Sequence, residues 1–456
     1  MNRRTTDTRA WRGRALLFRG GDHLDLESGQ IERRDLLVRD GRVHIVWGGD
    51  VPDDALVFDI TGKTVLPGLV DIHVHLREPG GEEHETIASG AAAAARGGFT
   101  KIVSMANTDP VIDDPQSVRY VVERARTAEK TRVYPIAAVS MGLEGKRLTE
   151  MFDLAEAGAV GFSDDGRTIM NAELMRRALE YAGMLGKVIV THAEDTDLKG
   201  SGVAHEGFMA TKLGLRPVPR AVEEVIVARD IQLVELTGGK IHVAHVSCAS
   251  TVDMIRDAQR RGLKVTGEVT PHHLVFTDEN LAGYDTNFKM APPLREKEDR
   301  EALLEGLRDG TLAAVATDHA PHNEIVKDVE FDAAPNGVVG CETAFAALYT
   351  TLVKPGAIDL RTLVRRMSTG PASVLGIEHG EAADGGPADL TVVDLERAWT
   401  VRAEDFVGKS ANSPWIGEEL FGAPVLTVVE GAVVHAEDLA PASARDATGK
   451  RQTVSS

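Results

Sequence analysis

The residues best suited to chemistry begin in the stretch LPGLVDIHVHLREPGG, residues 66–81. There an apolar run ends in two histidines one residue apart, His73 and His75, with Arg77 close behind. Side chains at i and i+2 of a β-strand lie on one face, so both imidazoles can reach a single ion. Other polar residues stand at the ends of later apolar runs: Asn107 after KIVSMA, Asp164 and Asp165 after AVGFS, His192 after KVIVT, His245 after KIHVA and Asp318 after LAAVAT. Imidazole and carboxylate suit zinc or a similar divalent ion, and the same charges gathered without one would be costly. A lone His-x-His pair carries little weight. The ordered series of His-x-His, Asp, His, His and Asp is far more specific.

These residues are distant in the chain, so the fold must bring them together. Between about 67 and 375, short apolar strands alternate with helical patterns such as ETIASGAAAAARGG, PQSVRYVVERARTAEK, NAELMRRALEYAGMLG, STVDMIRDAQRRG and DREALLEGLRDG. Several of these end in Gly, a common helix stop. Strands alternating with helices predict a parallel sheet, and about eight such units predict a closed α/β barrel of the (β/α)8 type. An open doubly wound sheet is the second choice. In a barrel the C-terminal strand ends share one face, where the polar series would converge. Residues 15–66 and 376–440 read as short strands broken by turns, including ALLF, DLLV and RVHIVW. They predict a small β-sandwich domain built from both chain ends. Residues 1–14 and 441–456 read as a flexible N-terminal extension and a flexible tail.

The chain has 456 residues, enough for one large barrel with an appendage. Its formal net charge of −19 repels phosphate backbones, which argues against nucleic-acid binding but not against a small anionic substrate. Only two cysteines are present, Cys248 and Cys341, which fits a reducing, cytoplasmic setting. No apolar run approaches the length that spans a membrane, and the basic start MNRRTTDTRAWRGR lacks the apolar core of a secretory signal.

Several residues also have plain structural readings. His242 lies one turn of pleat before His245 and reads as a packed core histidine. His272 and His273 read as structural or supporting residues. The Asp164–Asp165 pair could be a solvated turn or a helix cap ahead of NAEL. Arg77 could pair locally with Glu78. Cys248 reads as a small packed residue rather than a nucleophile. The polar segment 322–337 reads equally as a mobile loop over the site and as an ordinary surface loop.

With these motifs in view, the sequence resembles the type I dihydroorotases of the amidohydrolase superfamily. The matching stretches are PGLVDIHVHLREPG, MANTDPVIDD, GFSDDG, THAED, HVAHVS, EVTPHHL, KMAPPLR, ATDHAPH, GVVGCETAF and ANSPWIGEEL, spanning roughly residues 30–435. The resemblance implies a zinc-dependent cyclic amide hydrolase that reversibly converts (S)-dihydroorotate to N-carbamoyl-L-aspartate in pyrimidine synthesis, with one or two zinc ions per subunit. It places His73, His75 and Asp318 on a first ion and His192 and His245 on a second, with Asp165, or Asp164 in its stead, as the bridge. Asp318 would also carry the proton during catalysis. His75, Arg77, Asn107, His322, Asn336 and Gly337 would bind the substrate, Arg77 gripping its carboxylate.

The sequence departs from that pattern at Ala291, where the family usually has a substrate-contacting asparagine, and at Asn336, where Phe is common. Two rival readings stand beside the first. One is an allantoinase or hydantoinase; those relatives usually bridge their metals with a lysine, which SDDG replaces. The other is an inactive partner of aspartate carbamoyltransferase; such chains usually lose ligands, and this one keeps six. An active enzyme could also associate with that transferase, and a homodimer is open on the sequence alone.

Overall fold

The computed structural model describes residue 6 and residues 8–46 and 51–443. Most of the expected tail, part of the expected N-terminal extension, and Trp47 of the RVHIVW strand lie outside the described residues. Ala442–Ser443, inside the span read as a tail, pairs antiparallel with Leu56 and Val57.

The barrel is built from two arcs. In the first, Leu69–Val74, Phe99–Ser104 and Arg132–Pro135 pair in parallel. In the second, Ile189–Thr191, Ile241–Val243, Val265–Val269 and Ala314–Val315 do the same. Parallel bridges join the arcs at both seams: Ala137 to Phe162 and Phe162 to Ile189 on one side, Val74 to His319 on the other. The segment around Phe162 therefore serves as the eighth stave without forming a regular strand. Every residue of Leu69–Val74 and Phe99–Ser104 is buried, so both faces of these strands are covered and no polar-out alternation appears.

Several outer helices start where the sequence supplies caps. Thr86 and Ser89 form a capping box on Ile87–Arg96, Asp114 caps Pro115–Ala128, and Asn171 caps Ala172–Met184. Two others, Ala249–Arg260 and Lys297–Asp309, start without a side-chain cap. The helix Ala221–Thr237 carries apolar residues around more of its circumference and packs against Ala172–Met184 and Ala249–Arg260. One continuous apolar core links barrel and helices, from Leu69 and Ile102 through Phe162 and Ile241 to Val315 and Leu363.

The appended domain is a sandwich of two sheets. One contains Leu16–Arg19, Asp35–Arg39, Arg42–Val46 and Leu56–Asp59; the other contains Asp22–Leu24, Thr64–Pro67, Leu390–Thr400, Glu419–Val429 and Ala432–Ala436. Phe18, Val38 and Phe58 from the first meet Val392, Val425 and Val428 from the second in a shared core. Thr64–Pro67 leads through Gly68 straight into the first barrel strand, and a Cβ at Gly68 would collide with Thr100. A buried ion pair between Lys101 and Asp389 ties barrel to sandwich at the same seam. Among the described residues, no helix is long and apolar enough to cross a membrane.

The strands are shorter than the apolar runs suggest. The ladder stops before His245 and Asp318 because the chain turns away there. His245 and Asp318 have φ of 35° and 48°, in the left-handed region that interrupts strand pairing.

Candidate active site

Asp165 is the hub of the barrel mouth. Its Oδ1 lies 3.4 Å from Nε2 of His73, 3.4 Å from Nδ1 of His192 and 3.6 Å from Nε2 of His245. Its Oδ2 lies 3.4 Å from Nε2 of His75. Asp318 closes the group, with Oδ1 3.0 Å from Nε2 of His75 and 3.6 Å from Nε2 of His73. The donors fall into two sets that share Asp165: His73 and His75 on one side, His192 and His245 on the other. The strand period explains the first set, since Asp71, His73 and His75 alternate with Ile72 and Val74.

The neighbouring acid has a different task. Asp164 Oδ1 accepts from the amides of Val139 at 2.8 Å and Ser140 at 2.9 Å, and its other oxygen accepts from the Ser140 hydroxyl. Asp164 thus ties down an adjacent loop, while Asp165 faces the histidines. Neither acid is a solvated turn or a helix cap; both are buried, and Asn171 caps the following helix.

Three of the four histidines are oriented from behind. His73 Nδ1–H donates to Glu268 at 2.6 Å, His75 Nδ1–H to Asn107 Oδ1 at 2.8 Å, and His192 Nε2–H to Glu194 at 2.9 Å. These bonds fix the tautomers and leave the opposite nitrogens, with their lone pairs, aimed at Asp165. His242 also donates to Glu268, at 3.1 Å, so it supports the site through that carboxylate. Asp71 lies beneath, accepting 2.5 Å from the Thr317 hydroxyl; burial pushes its pKa up to about 6.

The donor set fits a divalent cation on the structure's own evidence. Nε2 of His73 and Oδ1 of Asp165 are buried without any hydrogen-bond partner. Nδ1 of His192 stands 2.9 Å from Nε2 of His245, close for two lone pairs unless something positive lies between them. Burial opposes protonation of His73, yet the charges of Asp165 and Glu268 outweigh it and hold its pKa well above the ordinary value. His192 is likewise raised to about 9, burial being overcome by Asp165 and Glu194. Against their own burial, Asp165 and Asp318 are held below the usual carboxylate range by these histidines. The cluster therefore attracts positive charge, and a metal ion would replace the protons.

A cavity of about 160 Å³ opens over this group. Arg77, Asn107, Asn336 and Gly337 line it, as does Ala291. Arg77 has φ of 60°, a left-handed turn directly after the strand, and its Nε donates to the Pro321 carbonyl at 3.2 Å. That bond uses one of five guanidinium protons. His322 does not line the cavity. Its Nε2–H donates to the Asn336 carbonyl at 2.9 Å, with Arg77 Nη2 3.3 Å from the same nitrogen, so it stands behind both. Burial and the Arg77 charge lower its pKa to about 3, leaving it neutral.

Three residues absent from the expectations belong to this site. Glu268 sits within the buried strand Val265–Val269, a charge that demanded a partner. Glu194 follows His192 at i+2 and lines the cavity. Lys199, at the end of the short helix Thr196–Lys199, lines it too and pairs with Glu194. His273 is anchored elsewhere, to Thr270 and to the Pro292 carbonyl at 3.0 Å. Cys248 is fully buried, and burial pushes its thiol pKa up, away from nucleophilic use.

Known proteins sharpen this picture. A family model described as dihydro-orotase-like matches residues 62–251. A dihydroorotase from Anaeromyxobacter dehalogenans strain 2CP-1 is 50% identical over 428 residues, covering 93% of this chain and 99% of its own. One from Geotalea daltonii is 47% identical over 424 residues, covering 93% of this chain and all of its own. Among solved structures, the L-hydantoinase (dihydropyrimidinase) from Arthrobacter aurescens superposes with a TM-score of 0.81 at 28% identity, over 92% of this chain and 96% of that one.

Proposed function

The chain belongs to the dihydroorotase family, and from that premise we propose how its site performs the reaction. The protein is a cyclic amide hydrolase that interconverts (S)-dihydroorotate and N-carbamoyl-L-aspartate, a step of pyrimidine synthesis. The observation that carries the mechanism is Asp165 shared between two histidine pairs beneath a cavity that also holds Arg77.

We assign the cation as zinc, in one or two positions, where it supplies a Lewis acid and lowers the pKa of water to about 7. His73, His75 and Asp318 would hold the first position and His192 and His245 the second, with Asp165 between them. Asp164, bound to Ser140, would not take part. Asp318 then acts as the proton carrier. Its carboxylate stays ionised because His75 and His73 face it. It takes a proton from the attacking water as the O–C bond forms and delivers it to the ring nitrogen as the C–N bond breaks. Arg77 pairs with the substrate carboxylate through its remaining donors. Asn107 has its oxygen committed to His75, so its amide N–H groups are free for the substrate. Asn336 and Gly337 would complete the wall, with His322 holding Asn336 in place. The aspartate hub and the Arg77 grip support the type I branch over the hydantoinases, whose fold the chain shares.

The test is a substrate panel on purified, metal-loaded protein: dihydroorotate and carbamoyl aspartate, with hydantoin and allantoin in parallel. Turnover of the first pair alone is expected and would show that Ala291 is tolerated. Turnover of hydantoin or allantoin without the first pair would overturn the reading.

A further inference from the structure

The part of the cavity lining formed by Asn336 and Gly337 is held by two lysines that the mechanism does not use. Lys327 closes the short helix Glu324–Lys327, and its side chain runs inward until only 6% of the residue is exposed. Its Nζ donates to the carbonyls of Pro335 at 3.1 Å and Gly337 at 3.0 Å. Lys289 Nζ donates to the carbonyls of Phe331 at 2.6 Å and Asp332 at 3.0 Å. The Lys289 carbonyl in turn accepts from the Gly337 amide at 2.9 Å. Among the described residues, no carboxylate hydrogen-bonds to either nitrogen. Buried amines are costly, and all four of these bonds fall on one short segment, 331–337. Burial, and then the charge of Lys289, lower the pKa of Lys327 to about 7, with Asp285 opposing. A neutral amine still has two protons for its two carbonyls, so the contact survives that titration.

The segment so held ends at the cavity. Asn336 and Gly337 line it beside Ala320. Gly337 has φ of 115°, which glycine alone adopts readily, and a Cβ there would press into Ala320. Its carbonyl takes a second donor, Asn412 Nδ2 at 3.1 Å, and that same amide reaches the Ala320 carbonyl at 3.1 Å.

We infer that Lys327, with Lys289 beside it, is a positioning residue that staples segment 331–337 and so sets the wall against which the substrate is held. The inference rests on the function proposed above. A wall that touches only the non-reacting part of the substrate binds ground and transition states alike, so its loss raises KM and spares kcat.

The experiment compares full-length, metal-loaded wild type with K327M and K327Q. Dihydroorotate kinetics are read with amide hydrogen exchange, and circular dichroism checks the fold. The expected result is a KM raised about tenfold or more with kcat within about threefold, and faster exchange at the Gly337 amide while the barrel strands stay protected. A KM and a Gly337 exchange rate equal to wild type in a folded variant would overturn the staple. So would global unfolding of both variants, since the lysine would then serve the whole fold. A wild type that turns over no dihydroorotate would overturn the function instead, whereas the exchange result judges the staple alone.

Discussion

Replacing Glu268 by Gln tests how far the site depends on a residue that touches no substrate. Glu268 is 1% exposed and accepts from two imidazoles, His73 at 2.6 Å and His242 at 3.1 Å. Those histidines hold its pKa down to about 2 despite burial. The amide keeps the volume but offers one acceptor oxygen where the carboxylate offered two, and it turns N–H donors toward a ring N–H. At least one histidine loses its partner. If that is His73, the ring is no longer locked with Nε2 toward Asp165. Changes of this kind behind a metal ligand cost about 10- to 100-fold in metal affinity, or about 1.4–2.7 kcal/mol. The assay is zinc competition against a chromophoric chelator, with circular dichroism to verify the fold. A folded E268Q that binds zinc within twofold of wild type would refute the reasoning.

Four further outcomes follow from the same geometry. D165N should lower turnover by several hundredfold or more, whereas D164N should keep the activity and lose about 1–3 kcal/mol of stability as the Ser140 hydroxyl loses its acceptor; steady-state kinetics and urea unfolding separate the two. R77M should raise KM for dihydroorotate by about tenfold or more, and R77K should recover only part of it, since an ammonium cannot reproduce the forked contact. Chelation should lower the melting temperature as well as the activity, because ion binding stabilises only the folded form; zinc in excess should restore both, read by calorimetry. Asp278 is raised to about 6 by burial, then by Glu296 and Glu279. Between about pH 4 and 6 the folded protein holds a proton that the unfolded chain has released, so stability falls as pH rises through that window. D278N should flatten that slope in urea titrations at several pH values.

Much of the fold and site was legible because the informative residues break an apolar background. A histidine or aspartate at the end of a buried strand stands out against Val and Ile, and the barrel rule says where it must point. Caps such as Thr86, Asp114 and Asn171 mark helix starts just as openly. Other features were hidden for physical reasons. The stave around Phe162 is joined by single bridges, so no ladder follows from its apolar run. Ala221–Thr237 lacks a sharp apolar stripe, which left it without a periodic signature. Glu268 was visible as a charge inside the strand KVTGEVT, but its partners come from other strands. Lys199 and Lys327 sit on short helices within loops, where local sequence does not reveal what a long side chain reaches. Ser140 binds Asp164 and leaves Asp165 facing the histidines, a contact spanning 24 residues that local sequence does not reveal.

The central claim is that ring opening depends on a cation gathered around Asp165. The most direct measurement titrates zinc into metal-free protein while bound metal and dihydroorotate turnover are followed together, with D165N alongside. Activity should rise in step with bound metal and saturate with it, and D165N should stay inactive at every zinc concentration. Full turnover by the metal-free protein, or a D165N variant as active as wild type, would contradict the account.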